Sequence, residues 1–385
     1  MLFTTELGGG RGHLARLNAF AKVVKDIGFT TCLALRGDRK RLTWSGDWYF
    51  DEELAAPAFP RLRRPPPALR IDGLAGALAR VGFIDSEIIS KVIDNWAQVL
   101  GQYAPTFVVG DFAPFVRLAC LDRLPTIIVG SGYTVPGPKS LHWSHDSSVS
   151  RNQREITRLI QEQLNRGLSG RKTSHISTPS MALRGDETLA ATLPHFDPVW
   201  SRDHSERTGP FADYPVIGRS ARQSKFLYAY LHSLSEQDLK TLKVLRDHGH
   251  HIIAYSDQWD ESGPEWLARI RNPLSTLEII QDATAVYHAG GLGLATSCAV
   301  YGVPQILAPR HTEAKMTAEG LVRMRIGQLA VQEHQAGQSS GHQTTKWLVD
   351  GNAKVHLNQV AEELSAWVHA QNWRARVRCA VMAVS

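Results

Sequence analysis

The chain has 385 residues, 43% of them hydrophobic and 21% charged, which is ordinary globular usage and at that length implies two domains with separate cores. The net charge of +6 comes from 43 basic and 37 acidic residues that are interspersed, so the surplus need not make a nucleic-acid face and nucleic acid is not an expected partner. Four scattered cysteines (Cys32, Cys120, Cys298, Cys379) with no CxxC pair exclude a disulfide framework and a zinc site of familiar spacing.

The N-terminus MLFTTELGGGRGH has no charged n-region followed by an apolar h-region, and no stretch reaches about 18 uncharged apolar residues, so a cytoplasmic protein is expected. Residues 2–6 read as a strand, and Leu14, Leu17, Ala21 and Val24 recur at helical spacing until Gly28 supplies a C-cap. A second strand is expected over Phe29–Leu35. FVVGD (107–111) and TIIVGS (126–131) are short apolar runs of the kind that build buried parallel strands. RLRRPPPALR (61–70) is basic and proline-rich, hence an exposed excursion. It is either a solvated loop or a contact for an anionic acceptor or a membrane surface.

Between 194 and 222 the chain is rich in proline, charge and small residues and lacks periodicity, which sets the interdomain linker at 206–224. The pattern then begins again. KFLYAYL (225–231) reads as a strand, 235–249 as a helix with Ser235 as N-cap and Gly249 as C-cap, and HIIAYS (251–256) as the next strand. KDIGFTTCLAL near the start and RDHGHHIIAYS here share one helix–Gly–strand order. Two doubly wound α/β domains, 1–205 and 225–385, are therefore expected to face each other across a cleft. A last helix over about 355–378 is expected to pack back on the N-terminal domain.

Three constellations carry chemistry. Gly8-Gly9-Gly10-Arg11-Gly12-His13 lies between the first strand and its helix, where open sheets place ligands. At that helix start the dipole disfavours an imidazolium and keeps the His13 ring available as a base; a capping or packing histidine is the other reading. Asp111 ends a buried strand at the same sheet edge, where it either orients an imidazole or caps the next helix. Val286-Tyr287-His288-Ala289-Gly290-Gly291-Leu292-Gly293 ends a strand in a glycine turn that opens a helix, followed by Gly302-Val303-Pro304-Gln305-Ile306-Leu307-Ala308-Pro309 and Glu313. Backbone N–H groups at that helix start would hold a diphosphate, with His288 donating to the same oxygens as a nucleotide leaves.

The order of these pieces, with GSGYTVPGP at 130–138 between them, resembles the GT-B fold glycosyltransferases of the UDP-glycosyltransferase and MurG-like kind over nearly the whole chain. The resemblance implies His13 as the base that deprotonates the acceptor and Asp111 as its partner. It also implies a donor site built from Gly12, His288, Gly290, Gly291, Gly293, Thr296 and Glu313, for a UDP-sugar or another nucleotide-diphosphate sugar. Two departures bear on donor choice: Ala314 stands where the family often has Gln, and Leu294-Ala295-Thr296 replaces small hydroxyl residues in a stretch to Pro304 that is one residue longer than is common.

The implied activity is a metal-independent, inverting transfer of hexosyltransferase type, with no cofactor. No DxD pair, GxxxxGK[ST] loop, GxSxG elbow or HExxH motif is present. The run His248-Gly249-His250-His251 straddles a helix cap and a strand start, so it is not read as a metal site. A nucleotide-sugar epimerase of the same fold and a catalytically silent nucleotide-sugar-binding subunit are the alternatives. The acceptor, whether a small molecule, a glycan or lipid precursor or a protein, is not named by composition, and peripheral membrane contact stays open through 61–70.

Overall fold

The computed structural model describes residues 1–7, 11–36, 47–59, 73–142, 151–173, 175–215, 225–258, 264–330 and 340–385. Gly8–Gly10, the 61–70 segment and 216–224 lie outside them. The chain divides into two compact units, Met1–Ala212 with Asn372–Ser385, and Asp213–Gln371.

The first unit runs β1 (Leu2–Thr5), α1 (Arg11–Lys25), β2 (Cys32–Leu35), β3 (Glu52–Ala55), α2 (Leu74–Arg80), α3 (Ser86–Tyr103), β4 (Val108–Asp111), α4 (Pro114–Cys120), β5 (Thr126–Gly130), α5 (Arg151–Gly167) and β6 (Glu187–Ala190). All its strand pairs are parallel, in the order β3-β2-β1-β4-β5-β6. The second unit runs β7 (Phe226–Leu231), α6 (Glu236–Asp247), β8 (Ile252–Ser256), β9 (Ala268–Arg269), α7 (Thr276–Asp282), β10 (Ala283–His288), α8 (Leu292–Tyr301), β11 (Gln305–Leu307), α9 (Thr312–Arg323), β12 (Gly327–Leu329), α10 (Ser340–Val349) and α11 (Gly351–Gln371). Its sheet is also parallel, in the order β12-β11-β10-β7-β8-β9. Counted from the first strand of each unit, both sheets have the order 3-2-1-4-5-6 of a dinucleotide-binding fold.

The two helix–Gly–strand pieces seen in the sequence occupy the same place in each unit, between the first helix and the second strand. Gly28 and Gly249 both leave their helices in the left-handed region, at φ 91° and 89°, where a side chain would be strained. Ser235 caps α6 through a capping box with Asp238, and Ser275 caps α7 in the same way with Glu278.

The expected last helix is two helices. α11 stops and α12 (Trp373–Val384) begins at Asn372, which is left-handed at φ 42° and caps Ala375 with its own side chain. Asparagine tolerates that conformation because its short amide bonds locally. The break transfers the chain from one unit to the other. Trp373, Val377, Ala380 and Val381 join the buried cluster of Phe3, Leu17, Phe20 and Val24 in the first unit, where Trp373 stacks on Phe211 at 5.3 Å.

The first unit also continues past 205, so the stretch expected as linker is built in as far as Ala212. Three charges of the aperiodic 194–222 stretch pair inside the unit. Asp197, Arg202 and Arg207 are buried, with Arg202 Nε 2.8 Å and Arg207 Nε 3.0 Å from Asp197 Oδ2. Arg202 Nη2 donates to the carbonyls of Gly132 and Val135 at 3.0 and 2.6 Å, so this buried cluster fixes the turn after β5. A Cβ at Gly132 would stand 2.9 Å from Asp197 Oδ1, which is why glycine is required there.

Candidate active site

In the first unit the site sits at the carboxyl ends of β1 and β4, the adjacent strands where connections leave in opposite directions. Thr5 and Asp111 are partners in register, so Asp111 ends its strand beside the turn that leads into α1. Gly12 and His13 lie in the first turn of α1, with Gly12 exposed and His13 half-buried. His13 Nδ1 is 2.8 Å from Asp111 Oδ1. A carboxylate only accepts, so the bond assigns the proton to Nδ1 and leaves Nε2 as the basic nitrogen of the ring.

Arg16, one turn along the same helix, completes the group. Its Nε donates to Asp111 Oδ2 at 2.8 Å and its Nη2 to Oδ1 at 3.3 Å, while Nη2 lies 3.1 Å from His13 Nδ1. Burial pushes the Asp111 carboxyl up, but the Arg16 charge and then His13 outweigh it and hold Asp111 below the usual carboxylate range. Phe112 follows at φ 52°, an uncommon conformation for an aromatic residue, and its ring lies nearly parallel to that of His13, 22° apart at 6.3 Å.

Behind this pair is a buried carboxyl. Glu6 accepts from Trp96 Nε1 at 2.5 Å and from the backbone N–H groups of Phe115 and Val116 at 2.7 and 3.1 Å, while Leu7 N–H bonds Phe112 O at 3.1 Å. The turn that carries Asp111 and Phe112 is thus tied to the end of β1 from both sides.

In the second unit His288 ends β10, the strand that corresponds to β4. It is fully buried and both ring nitrogens are engaged inside the protein: Nδ1 accepts from Gly290 N–H at 3.2 Å, and Nε2 donates to Gln305 Oε1 at 2.9 Å. Gln305 in turn donates to Ala295 O at 3.2 Å. Burial pushes the His288 imidazole down to about 4, against a weaker upward pull from Gln305, so the ring is neutral. Donation to a diphosphate, the role expected for His288, would require breaking its bond to Gln305. What His288 does in this arrangement is fix the glycine turn against β11.

The glycines divide the work. Gly290 has φ 85°, and a Cβ there would stand 2.8 Å from Ala314 O, so it permits the close approach of the turn to α9. Gly291 and Gly293 are exposed at the start of α8, with nothing within 4 Å of an added Cβ. Gly291 caps α8 without a side-chain bond, which leaves the first N–H groups of the helix to other acceptors. Thr296 is buried one turn further in. Glu313 lies half-buried in the first turn of α9, directly before the Ala314 that Gly290 meets, and His311 caps that helix through Ala314 N–H. Gly290→Ala should accordingly destabilise the second unit by about 1–3 kcal/mol, through the left-handed backbone and the clash with Ala314. Urea unfolding checks this, and an unchanged midpoint would show that α9 can give way.

Among the described residues no group of three His, Cys, Asp or Glu side chains is placed to hold a metal ion, and no helix is long and apolar enough to cross a membrane. Cys32, Cys120 and Cys298 are buried thiols and Cys379 an exposed one.

No protein-family model matches the chain, and no curated protein matches it by sequence. Solved structures do. The chain is similar to the glycotransferase of kitacinnamycin, at 14% identity and a TM-score of 0.66 over 99% of this chain and 97% of that one. It is also similar to the glycosyltransferase VinC, solved in complex with dTDP, at 15% identity and a TM-score of 0.64 over 98% and 99% of the two chains. A third is LpCGTa, solved in complex with UDP, at 12% identity and a TM-score of 0.62 over 100% and 99%. The likeness covers both units. The chain has the GT-B fold of glycosyltransferases.

Proposed function

We propose that the protein is an inverting glycosyltransferase that moves a sugar from a nucleotide-diphosphate sugar to an acceptor. One observation carries the reading: His13 Nδ1 bonds the buried Asp111 at 2.8 Å, at the sheet edge where this fold binds ligands, which leaves Nε2 to take a proton. In the proposed reaction the acceptor gives its proton to His13 Nε2 as its oxygen attacks the anomeric carbon. The bond from that carbon to the diphosphate breaks, the diphosphate leaves with the electron pair, and one displacement inverts the centre. The first unit takes the acceptor. The second takes the donor, with the exposed N–H groups at Gly291–Gly293 facing the diphosphate and Glu313 the sugar hydroxyls. VinC with dTDP and LpCGTa with UDP support a nucleotide donor and leave its base to be determined.

The test is a panel of UDP- and dTDP-sugars, followed for released nucleoside diphosphate with and without acceptors. Release that requires an acceptor supports transfer. Conversion of the donor sugar without any acceptor would favour an epimerase, and donor binding with no turnover a silent subunit.

Two expectations follow for the donor side. Gly293→Asp should fold, since the added side chain meets open space, and should weaken nucleotide binding about tenfold or more by placing a like charge at the helix start. Calorimetry with UDP and dTDP reads this directly, and unchanged affinity would place the diphosphate elsewhere. Turnover should survive EDTA, because no DxD pair is present to bridge an ion to the phosphates. Loss restored by magnesium or manganese would overturn that part.

A further inference from the structure

The Asp111 carboxylate has two partners, and only one of them has a role in the proposed reaction. Arg16 occupies Oδ2 through Nε at 2.8 Å and reaches Oδ1 through Nη2 at 3.3 Å, with its side chain mostly shielded from solvent. It also stands 3.1 Å from His13 Nδ1. Both nitrogens carry hydrogens when His13 donates to Asp111, so this last contact is not a hydrogen bond but a fixed cation placed against the ring. With His13 neutral, the buried group of Asp111 and Arg16 sums to zero charge. Adding a proton to the ring makes it +1. Without Arg16 the same proton would take the group from −1 to zero.

Resting on the reading of His13 as the base, we propose that Arg16 is a positioning residue that holds the Asp111 carboxylate which aims the His13 ring and sets a fixed cation against that ring. A cation beside the ring opposes its protonation, and the carboxylate, already paired, does less to favour it. The helix spacing makes the arrangement possible, because residues three apart share one face of α1.

On α1 itself the other charged groups are Arg11, half-buried and two residues before His13, and Lys22 and Lys25 in the last turn. β5 carries none. Glu6, beyond the end of β1, is directed at Trp96 and the start of α4. On α12, Arg376 bonds the carbonyls of His204 and Ser205, Arg374 lies over the Trp373 ring, and Arg378 is exposed.

The experiment follows the His13 ring by NMR against pH in the full-length parent, Arg16→Gln and Arg16→Lys, and records kcat and KM across the same range. In Arg16→Gln the ring should take its proton at a pH higher by about one unit or more, and the acidic limb of kcat should move up with it. KM for the donor should stay within about twofold, since Arg16 is assigned no contact with it. Arg16→Lys keeps the charge but not the planar fork, so its ring titration should lie near that of the parent even if turnover falls.

A ring that titrates at the same pH in Arg16→Gln as in the parent overturns the proposal. So does a lysine variant that behaves like the glutamine one, because a merely structural Arg16 would make the two alike. Should Arg16→Gln fail to fold, the Arg16 Nε resonance of the parent decides: it should shift with the midpoint of the His13 ring, and independence of the two overturns the coupling. The underlying reading fails separately. If His13→Ala keeps parental turnover while the titration shift is found, His13 is not the base although its protonation is set by Arg16.

Discussion

Replacing His13 by alanine is expected to lower turnover about a hundredfold to ten-thousandfold while leaving donor affinity nearly intact. A hydroxyl is a poor nucleophile near neutral pH, and in the proposed reaction the ring nitrogen opposite the Asp111 bond removes its proton. Asp111→Asn should also lower turnover, for a reason visible in the bonding. The asparagine oxygen can serve only one of its two neighbours. If it accepts from His13, the amide group faces the Arg16 Nε–H, donor against donor; if it turns to accept from Arg16, the amide donates to Nδ1 and forces the ring proton onto Nε2. The first arrangement loses the Arg16 bond and the charge that stabilises an imidazolium, and the second blocks the base. The two losses should not add: the double variant should be little worse than His13→Ala alone, whereas independent roles would give roughly the product of the separate defects. Steady-state kinetics on folded variants checks this. Near-normal turnover in His13→Ala would mean that the base lies elsewhere.

How much of this was legible in the sequence depends on where each residue's environment comes from. β1, β4, β5, β7 and β8 are visible as apolar runs because both faces of a central parallel strand are covered, so the strand's own side chains record its burial. β3 (EELA), β6 (ETLA), β9 (AR) and β12 (GQL) carry no such record. They are short strands toward the sheet edges, specified by the neighbouring backbone more than by their own composition. His13, Asp111 and the glycine turn are legible because backbone geometry restricts which residues can occupy a strand end or a tight turn. Arg16 was within the same motif, and its spacing of three from His13 is a usable signal, but its meaning depends on an aspartate 95 positions away. Gln305 is hidden in the same way: nothing local to its apolar run points to the buried His288 that it partners. Asp197, Arg202 and Arg207 mislead outright. An aperiodic charged stretch reads as an interdomain linker, and only tertiary pairing shows that these three charges are buried.

Glu6 was the least legible of the site's neighbours, and it sets the second large effect. Burial pushes its carboxyl up to about 8, although Phe115 N–H, Trp96 Nε1 and Val116 N–H all pull it down, followed by the Arg36 charge. In the unfolded chain the same group titrates near 4.5. Between those values the native protein holds a proton that the unfolded chain has released, so the contribution of Glu6 to stability is greatest below about 4.5, falls as pH rises toward 8 and levels off beyond. At about 1.4 kcal/mol per pH unit the loss across that window is on the order of 5 kcal/mol, a large fraction of the roughly 5–15 kcal/mol that holds a domain together. Glu6→Gln removes the titration but retains the shape. Its oxygen can still accept from Trp96 and Val116, while its amide nitrogen meets the Phe115 N–H and leaves that donor unpaired, at a cost of about 1–3 kcal/mol. The variant should therefore be less stable than the parent at pH 5 and equal or more stable at pH 9, with the two stability curves crossing between. Urea midpoints of both proteins at pH 5, 7 and 9 isolate this one group, because every other titration is shared. Parallel curves would show that the Glu6 carboxyl ionises in the native protein as readily as it does in water.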